Sequence, residues 1–292
     1  MLKTYTYPDE TIKEITGQPP DHSLRFDIQE TVDNPQDADV IIVPLNLTWF
    51  ETKADMQKLP FFNEYESKHA FFHCSDKATI FNTTAILLQC NLKQTMKEKD
   101  INSLAIAWPV GKDDIDDCAC HNKFTHDVGF HGWVWSDTRK TSTVSVQKTF
   151  MDNFDFAGYS TFTGHCGEKE YKRRRGLFLN SLKNCRVQLC PSSIPGDWPY
   201  RAWETMCAAR VPALICSNDI RPRTDIINYD EFMLTIPAEK ASEAGTIIKE
   251  FLNTHLDEQL IEMGKKGREA YIKYLDSRRW PQLFREMIQD AL

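Results

Sequence analysis

The second half of the chain contains two apolar runs, Cys185-Arg186-Val187-Gln188-Leu189-Cys190 and Val211-Pro212-Ala213-Leu214-Ile215-Cys216. Each run has the length and apolar content of a buried strand. Between them lie a loop at 191–198 and a helical pattern at 199–209. Strand, helix and strand in this order predict two parallel strands joined by a helix.

The same alternation extends over the rest of the chain. Further strands are predicted at 39–44, 69–73, 103–108, 128–135 and 231–236. Helical patterns are predicted at 56–67, 84–99, 141–153, 171–182, 238–255, 257–275 and 279–292. We therefore expect an α/β protein with two Rossmann-like domains whose parallel sheets face a central cleft.

The 292 residues are enough for two domains of moderate size. The segment 113–121 is acidic and has no periodic pattern, so it marks the predicted junction. We expect an N-terminal domain at 1–122, a C-terminal domain at 123–275, and a last helix at 276–292 that returns to the N-terminal domain.

The formal net charge of -7 argues against a protein that wraps nucleic acid. An anionic ligand must then be held by local arginines and helix N-termini. No segment is long and apolar enough to span a membrane, and the first residues do not form a signal peptide. The odd number of nine cysteines favours a reduced compartment over a disulfide scaffold. The sequence thus predicts a soluble, cytoplasmic protein.

The loop and helix at 191–209 carry the strongest chemical signal. Pro199 suits the first turn of a helix, whose free N–H groups form an anion site. Arg201 in that turn is able to pair with a phosphate, and Glu204 follows on the same helix face. A carboxylate there would accept hydrogen bonds from the vicinal hydroxyls of a ribose. The alternative is a surface salt bridge between Arg201 and Glu204, worth roughly 0.2–0.5 kcal/mol.

Several segments, taken in their order along the chain, together resemble the pattern of a known protein family. The chain has Leu189-Cys190-Pro191, Gly196-Asp197, Arg201, Glu204 and Val211-Pro212-Ala213-Leu214-Ile215, and further matching segments at 3–8, 38–44, 71–76 and 129–139. This pattern resembles the exostosin-like glycosyltransferases, inverting enzymes of the two-domain GT-B class. The resemblance covers nearly the whole chain and is nearest to the compact soluble members, which include proteins of large algal viruses.

The resemblance implies a GT-B-like fold and transfer of a sugar from a UDP-sugar to a glycan hydroxyl, with inversion and a β-linkage. The N-terminal domain would hold the acceptor and the C-terminal domain the donor, with UDP-xylose as the first donor to consider. The implied donor-binding residues are Arg139, Ser192, Ser193, Gly196, Asp197, Tyr200, Arg201, Glu204, Asp219, Arg221 and Arg223. Arg221 and Arg223 replace an apolar pair of the family, and they either face the donor or form a solvated turn.

The general base is expected from the first domain, across the cleft. Asp76, at the end of a predicted strand, is the first candidate. His73 and His131 are the other two, and for each of the three a structural role is the alternative. We expect no cofactor and no essential divalent metal, because the helix dipole and Arg201 would meet the charge of the leaving group.

Other functions stay open at this point. A noncatalytic nucleotide- or carbohydrate-binding protein of the same fold is the main alternative. An epimerase or phosphorylase on a similar frame is less favoured, because no Gly-x-Gly-x-x-Gly motif opens either half. The run Lys172-Arg173-Arg174-Arg175 is interpreted as the solvated face of a helix.

Overall fold

The computed structural model describes residues 2–21, 30–75, 79–107, 109–110, 113–119, 123–161, 165–193, 198–217 and 220–291. The chain forms two compact units. The first comprises Met1–Trp108, Ile220–Arg223 and Ser277–Leu292, and the second comprises Pro109–Asp219 and Thr224–Asp276. In the described part of the chain, no helix has the length and apolar character needed to cross a membrane.

The first unit is built on a six-stranded sheet in which all the strand pairs are parallel. Its strands are β1 (Lys3–Thr6), β2 (Glu30–Thr31), β3 (Val40–Asn46), β4 (His69–His73), β5 (Ile86–Gln89) and β6 (Ser103–Ala105). They lie in the order β2-β1-β3-β4-β5-β6. The helices α1 (Asp9–Thr16), α2 (Lys53–Met56) and α3 (Gln94–Lys99) connect them.

The second unit contains a five-stranded parallel sheet in the order β11-β10-β9-β7-β8. Its strands are β7 (His126–Trp133), β8 (Phe154–Tyr159), β9 (Cys185–Pro191), β10 (Val211–Cys216) and β11 (Leu234–Pro237). Its helices are α4 (Asp113–Asp116), α5 (Asp137–Phe150), α6 (Glu168–Asn184), α7 (Tyr200–Cys207), α8 (Ala244–Asn253) and α9 (Asp257–Tyr274). Strand β7 pairs with β8 on one side and β9 on the other. Later strands are therefore added on the opposite side of β7 from β8, and the strand order reverses between β7 and β9. Such a switch point is where open α/β sheets bind ligands.

The last helix, α10 (Trp280–Ala291), belongs to the first unit. It buries Trp280, Phe284 and Ile288 against Val40 and Phe72 of the sheet. The neighbouring residues of the same strands, such as Ile41 and Phe71, face a second cluster that includes α1. Both faces of the sheet are therefore covered, which explains why its central strands are continuous apolar runs.

The predicted boundary after residue 122 differs from the structure, in which the segment that begins at Pro109 packs with the second unit. Ile115 and Cys118 are fully buried there, and Arg268 of α9 donates from Nη2 to Asp116 Oδ1 at 2.9 Å. The acidic residues of this segment therefore take part in packing, which a charge pattern alone does not reveal.

Each predicted strand overlaps a strand of the structure, but two predicted helices are wrong. In place of the helix at 84–99, the chain forms β5 and then the short α3. All four residues of β5 are buried, and a short buried run has no periodicity that separates helix from strand. The helix predicted at 56–67 fails because α2 ends at Met56 and Phe61 has a φ of 67°, which a right-handed helix does not permit.

Candidate active site

The loops that follow β7 and β9 are fastened to each other at the switch point. Ser136 caps α5 by accepting from the Arg139 backbone N–H at 3.3 Å, and its Oγ donates to the Ser192 carbonyl at 3.2 Å. Arg139 donates from Nε to the Pro191 carbonyl at 3.3 Å and from Nη1 to the Trp133 carbonyl at 3.0 Å. The structure thus brings together the segments of Arg139 and Ser192, two of the residues that are predicted to bind the donor. In this arrangement Arg139 also braces the two loops.

Arg201 lies in the first turn of α7, just after the loop that follows β9. Its guanidinium carbon is 5.0 Å from the ring centroid of Phe130 and 4.6 Å from that of Phe178. Its Nη1 is buried and has no hydrogen-bond partner among the described residues. Leaving a buried donor unpaired costs about 1–3 kcal/mol, and an anionic ligand would remove that cost. The guanidinium of Arg201 therefore packs on two aromatic rings, while its Nη1 remains available as a hydrogen-bond donor.

Gly132 on β7 makes room for this arginine. A Cβ built on Gly132 would lie only 2.8 Å from Arg201 Nη2, which is closer than real Cβ contacts. A side chain at position 132 would displace the guanidinium. Gly132 was not among the predicted site residues, and a glycine near the end of a strand was the one signal for it.

The spacing predicted that Glu204 and Arg201 share an open helix face, but in the structure they do not. It is only 2% exposed, and its Oε1 accepts from Arg175 Nη1 at 2.5 Å. Arg175 also forms two parallel hydrogen bonds to Asp114, from Nε at 2.9 Å and Nη2 at 3.0 Å. Burial alone would lower the pKa of Arg175, but the bonds to Asp114 and the charge of Glu204 raise it above its usual value. The local alternative, a surface bridge to Arg201, is also not what the described contacts show.

Arg175 itself belongs to the run interpreted as a solvated face. Its side chain and that of Arg174 are each 12% exposed, whereas Lys172 is 72% and Arg173 is 56% exposed. The run is therefore divided: two members point to solvent and two pack inward. The signal for this division was the helical spacing of 100° per residue, which places four consecutive residues around the helix.

The remaining predicted donor residues lie in several places. Ser193 and Tyr200 flank the loop after β9, and the nearby Glu204 carboxylate raises the pKa of Tyr200. Arg221 and Arg223 belong to the first unit, where Arg223 pairs with Asp290 of α10 at 3.4 Å. Three more predicted residues lie outside the described part of the chain, namely Gly196, Asp197 and Asp219.

Of the candidates for the general base, Asp76 lies outside the described residues. His73 ends β4 and is 4% exposed, and its Nδ1 lies 3.1 Å from Gln89 Oε1. Gln89 in turn donates to Ser103 Oγ at 2.9 Å, which extends a buried polar chain over three strands. Burial lowers the pKa of His73, so the ring stays neutral at physiological pH. These contacts give His73 a structural role.

His131 on β7 bonds through Nε2 to Asp155 Oδ1 on β8 at 2.9 Å. Burial raises the pKa of Asp155, but the hydrogen bonds from His131 and Ser181 outweigh burial and leave it below its usual value. In this pair Nε2 faces the carboxylate, and Nδ1 is the other nitrogen of the ring. That Nδ1 is buried and has no partner among the described residues. The ring is 6% exposed, so the pair fastens two neighbouring strands in the interior.

Aromatic residues around the site differ in exposure. Trp198 is buried and stacks on Trp203 at 5.0 Å, which is core packing. Trp133 and Trp135, at the end of β7, stack at 5.1 Å, and Trp135 is 40% exposed. Within the described part of the chain, no group of three or more His, Cys, Asp or Glu side chains is arranged to hold a metal ion.

Comparison of the sequence with protein-family models and with curated proteins gives no match. The fold does have counterparts among solved structures. A glycosyltransferase from Rickettsia africae aligns over 99% of this chain and 98% of its own length, with 8% identity and a TM-score of 0.55. The chain has a GT-B-like fold.

Two further solved structures are similar at lower TM-scores. HepE from Anabaena, solved with UDP and glucose, aligns over 86% of this chain and 78% of its own, with 11% identity and a TM-score of 0.48. The apo form of OtsA aligns over 88% of this chain and 74% of its own, with 10% identity and a TM-score of 0.49. At such identities the likeness concerns the fold, and the chemistry must be argued from the site.

Proposed function

We propose that this protein is an inverting glycosyltransferase that moves a sugar from a UDP-sugar to a glycan hydroxyl and forms a β-linkage. The observation that carries the proposal is the unsatisfied guanidinium Nη1 of Arg201 beside the switch point of the second sheet. The chain has a net charge of -7, and among the residues that the structure describes Arg201 forms no ion pair, so this local cation favours an anionic ligand. The GT-B-like fold and the exostosin-like motifs favour a nucleoside diphosphate as that anion.

The diphosphate would be bound by Arg201 together with the first turn of α7. That turn follows Pro199 and carries backbone N–H groups without helical partners. The Ser136–Ser192 contact and the two carbonyl bonds of Arg139 fix the loops beside it. Fixed contacts beside Arg201 matter because a guanidinium stabilises a transition state only where its geometry is already set.

The proposed reaction is a single displacement. A base takes the proton of the acceptor hydroxyl while its oxygen attacks the anomeric carbon. The bond from that carbon to the UDP oxygen breaks, and the electron pair remains on the diphosphate. Arg201 and the helix dipole would stabilise this charge, so a divalent metal is not required. We assign the base to Asp76 and propose UDP-xylose as the first donor to test.

Calorimetric titration with UDP tests the donor site directly. We expect binding in EDTA that manganese changes little, and a loss of affinity of tenfold or more, about 1.4 kcal/mol, in Arg201→Ala. Arg173→Ala is the matched control, because it also removes one positive charge but from an exposed pair with Glu170. This control should bind UDP like the wild type.

The other outcomes are equally informative. Strict dependence on manganese would contradict the role given to Arg201 and the helix dipole. UDP binding without transfer to any glycan from any UDP-sugar would favour a noncatalytic binding protein. Equal affinity in wild type and Arg201→Ala would remove the central argument.

A further inference from the structure

Two thiols meet at the carboxyl ends of neighbouring strands in the first unit. The Sγ atoms of Cys74 and Cys90 are 3.1 Å apart, and both cysteines are free. Cys74 directly follows β4 and Cys90 directly follows β5. This pair plays no part in the proposed sugar transfer.

The backbone around the pair has the geometry that a disulfide needs. His73 is in register with Gln89, and the Cys90 N–H donates to the His73 carbonyl at 3.0 Å, so the cysteines are the next residues of the two strands. Paired parallel strands run about 4.8 Å apart. Disulfides join residues whose Cα atoms are roughly 4.4–6.8 Å apart. A bond between the two sulfurs therefore needs little movement of the backbone.

The two thiols differ in access to solvent. Cys90 is 4% exposed and belongs to the core cluster against α10, whereas Cys74 is partly exposed at the margin of the same cluster. Asn46 holds the backbone of Cys74 in place, because its side chain accepts from the Cys74 N–H at 3.2 Å and donates to the Cys74 carbonyl at 3.3 Å. A small reagent would therefore react with Cys74 first, and the Cys90 thiol lies next to it.

We propose that Cys74 and Cys90 are a redox-active dithiol that a low-molecular-weight disulfide, such as oxidised glutathione, converts to an intramolecular disulfide. The Cys74 thiolate attacks one sulfur of the reagent and releases one small thiolate, which leaves a mixed disulfide on Cys74. The Cys90 thiolate then attacks Cys74 Sγ and releases the second small thiolate. The protein loses two protons and two electrons, and the reagent is reduced to two thiols.

Two other buried thiols, those of Cys185 and Cys190, have hydroxyl neighbours. Cys185 Sγ lies 3.5 Å from Ser181 Oγ, and Cys190 Sγ lies 3.6 Å from Thr205 Oγ1, so each contacts a hydroxyl. Burial raises the pKa of both thiols to about 12 and also raises the pKa of Cys90, so these controls differ from Cys90 in their hydroxyl neighbours and not in acidity. Cys185 and Cys190 therefore serve as internal controls that should stay reduced.

The test treats the full-length folded protein with oxidised glutathione, quenches with acid, alkylates the remaining thiols after denaturation, and maps the peptides by mass spectrometry. We expect the Cys74 and Cys90 peptides to be linked, with the loss of two hydrogens and no retained glutathione. Reduction with dithiothreitol should restore two alkylatable thiols. Cys185 and Cys190 should be alkylated throughout.

Two variants separate the steps. Cys90→Ser should accumulate a stable glutathione adduct on Cys74, and Cys74→Ser should leave Cys90 unmodified. If either variant fails to fold, the wild-type map alone decides. A wild-type protein that keeps glutathione on Cys74 with Cys90 alkylatable, or in which both thiols stay alkylatable, would overturn the proposal.

Discussion

The guanidinium of Arg201 occupies the space that a side chain on Gly132 would need, since a Cβ there would lie 2.8 Å from Nη2. The first prediction follows from this relationship. Gly132→Ala should displace the guanidinium and weaken UDP binding by tenfold or more, about 1.4 kcal/mol. Because the clash is with the flexible end of a long side chain, the melting temperature should change little. Calorimetry with UDP and a thermal melt check the two statements.

Gly176→Ala is the matched control for this substitution. Gly176 lies within α6, and a Cβ built on it meets no atom within 4 Å. Alanine in a helix interior is more favourable than glycine by about 0.5–1 kcal/mol, so the control should be equally or slightly more stable. Its UDP affinity should equal that of the wild type. If Gly132→Ala also binds UDP normally, Arg201 has no part in the donor site.

The second prediction concerns the buried pair of Arg175 and Glu204. Removing Arg175 leaves the buried Glu204 carboxylate uncompensated in the interior, which typically costs 3–5 kcal/mol, whereas removing Glu204 leaves Arg175 paired with Asp114. Arg175→Met should therefore lower the free energy of unfolding by about that amount, and Glu204→Gln should lower it by less. The double variant should lose less than the sum, because it leaves no unpaired charge. Urea titrations of all four proteins measure this coupling.

A surface pair on the same helix provides the comparison. Arg173 and Glu170 form an exposed i,i+3 ion pair, and such pairs are worth about 0–1 kcal/mol. Arg173→Ala should therefore have almost no effect on unfolding. Additive losses in the Arg175 and Glu204 series would show that the two side chains are not coupled.

The pair of Arg175 and Glu204 also shows what the sequence alone does not predict. Helical spacing placed Glu204 near Arg201, three residues away, because periodicity reports only neighbours on one helix. The actual partner, Arg175, is 29 residues earlier on α6, and only the tertiary structure brings the two side chains together. Arg175 lies in a run of four basic residues, and net charge does not reveal which members turn inward.

The sheets were more predictable than the side-chain pairs. The bounds of β4 and β10 are those predicted. Each is a short run rich in β-branched or aromatic residues, and polar residues or proline near its ends leave one obvious placement for the strand. Strand β8 was missed, because it lies at an edge of its sheet, buries only Phe154 and contains Gly158. The switch point at β7 and β9 depends on which strands pair, and that order is a tertiary property.

The third prediction tests Asp76 as the base. Asp76→Asn should keep the UDP affinity of the wild type but lose at least about 99% of the transfer rate, since general base catalysis contributes typically 10²–10⁴-fold. Asp33→Asn is the control, because it removes one carboxylate of the first unit that no proposal uses. Transfer assays with UDP-sugars, in parallel with UDP titrations, separate the two properties. Full transfer in Asp76→Asn would exclude it as the base.

The last prediction concerns pH and the buried His69. Its Nδ1 lies 2.8 Å from the Tyr65 carbonyl and its Nε2 lies 2.9 Å from the Tyr7 hydroxyl, and burial lowers its pKa to about 4. Below about pH 6.5 the unfolded chain protonates this ring while the folded chain does not, so acid favours unfolding. Between pH 6.5 and 4 this histidine should remove roughly 3 kcal/mol from the free energy of unfolding. Hydrogen exchange of the β3 and β4 amides measures the loss.

This loss of stability should shrink in His69→Gln. It should not shrink in His126→Gln, a control on a partly exposed histidine of the second unit. The same loss in all three proteins would assign the acid sensitivity to other groups.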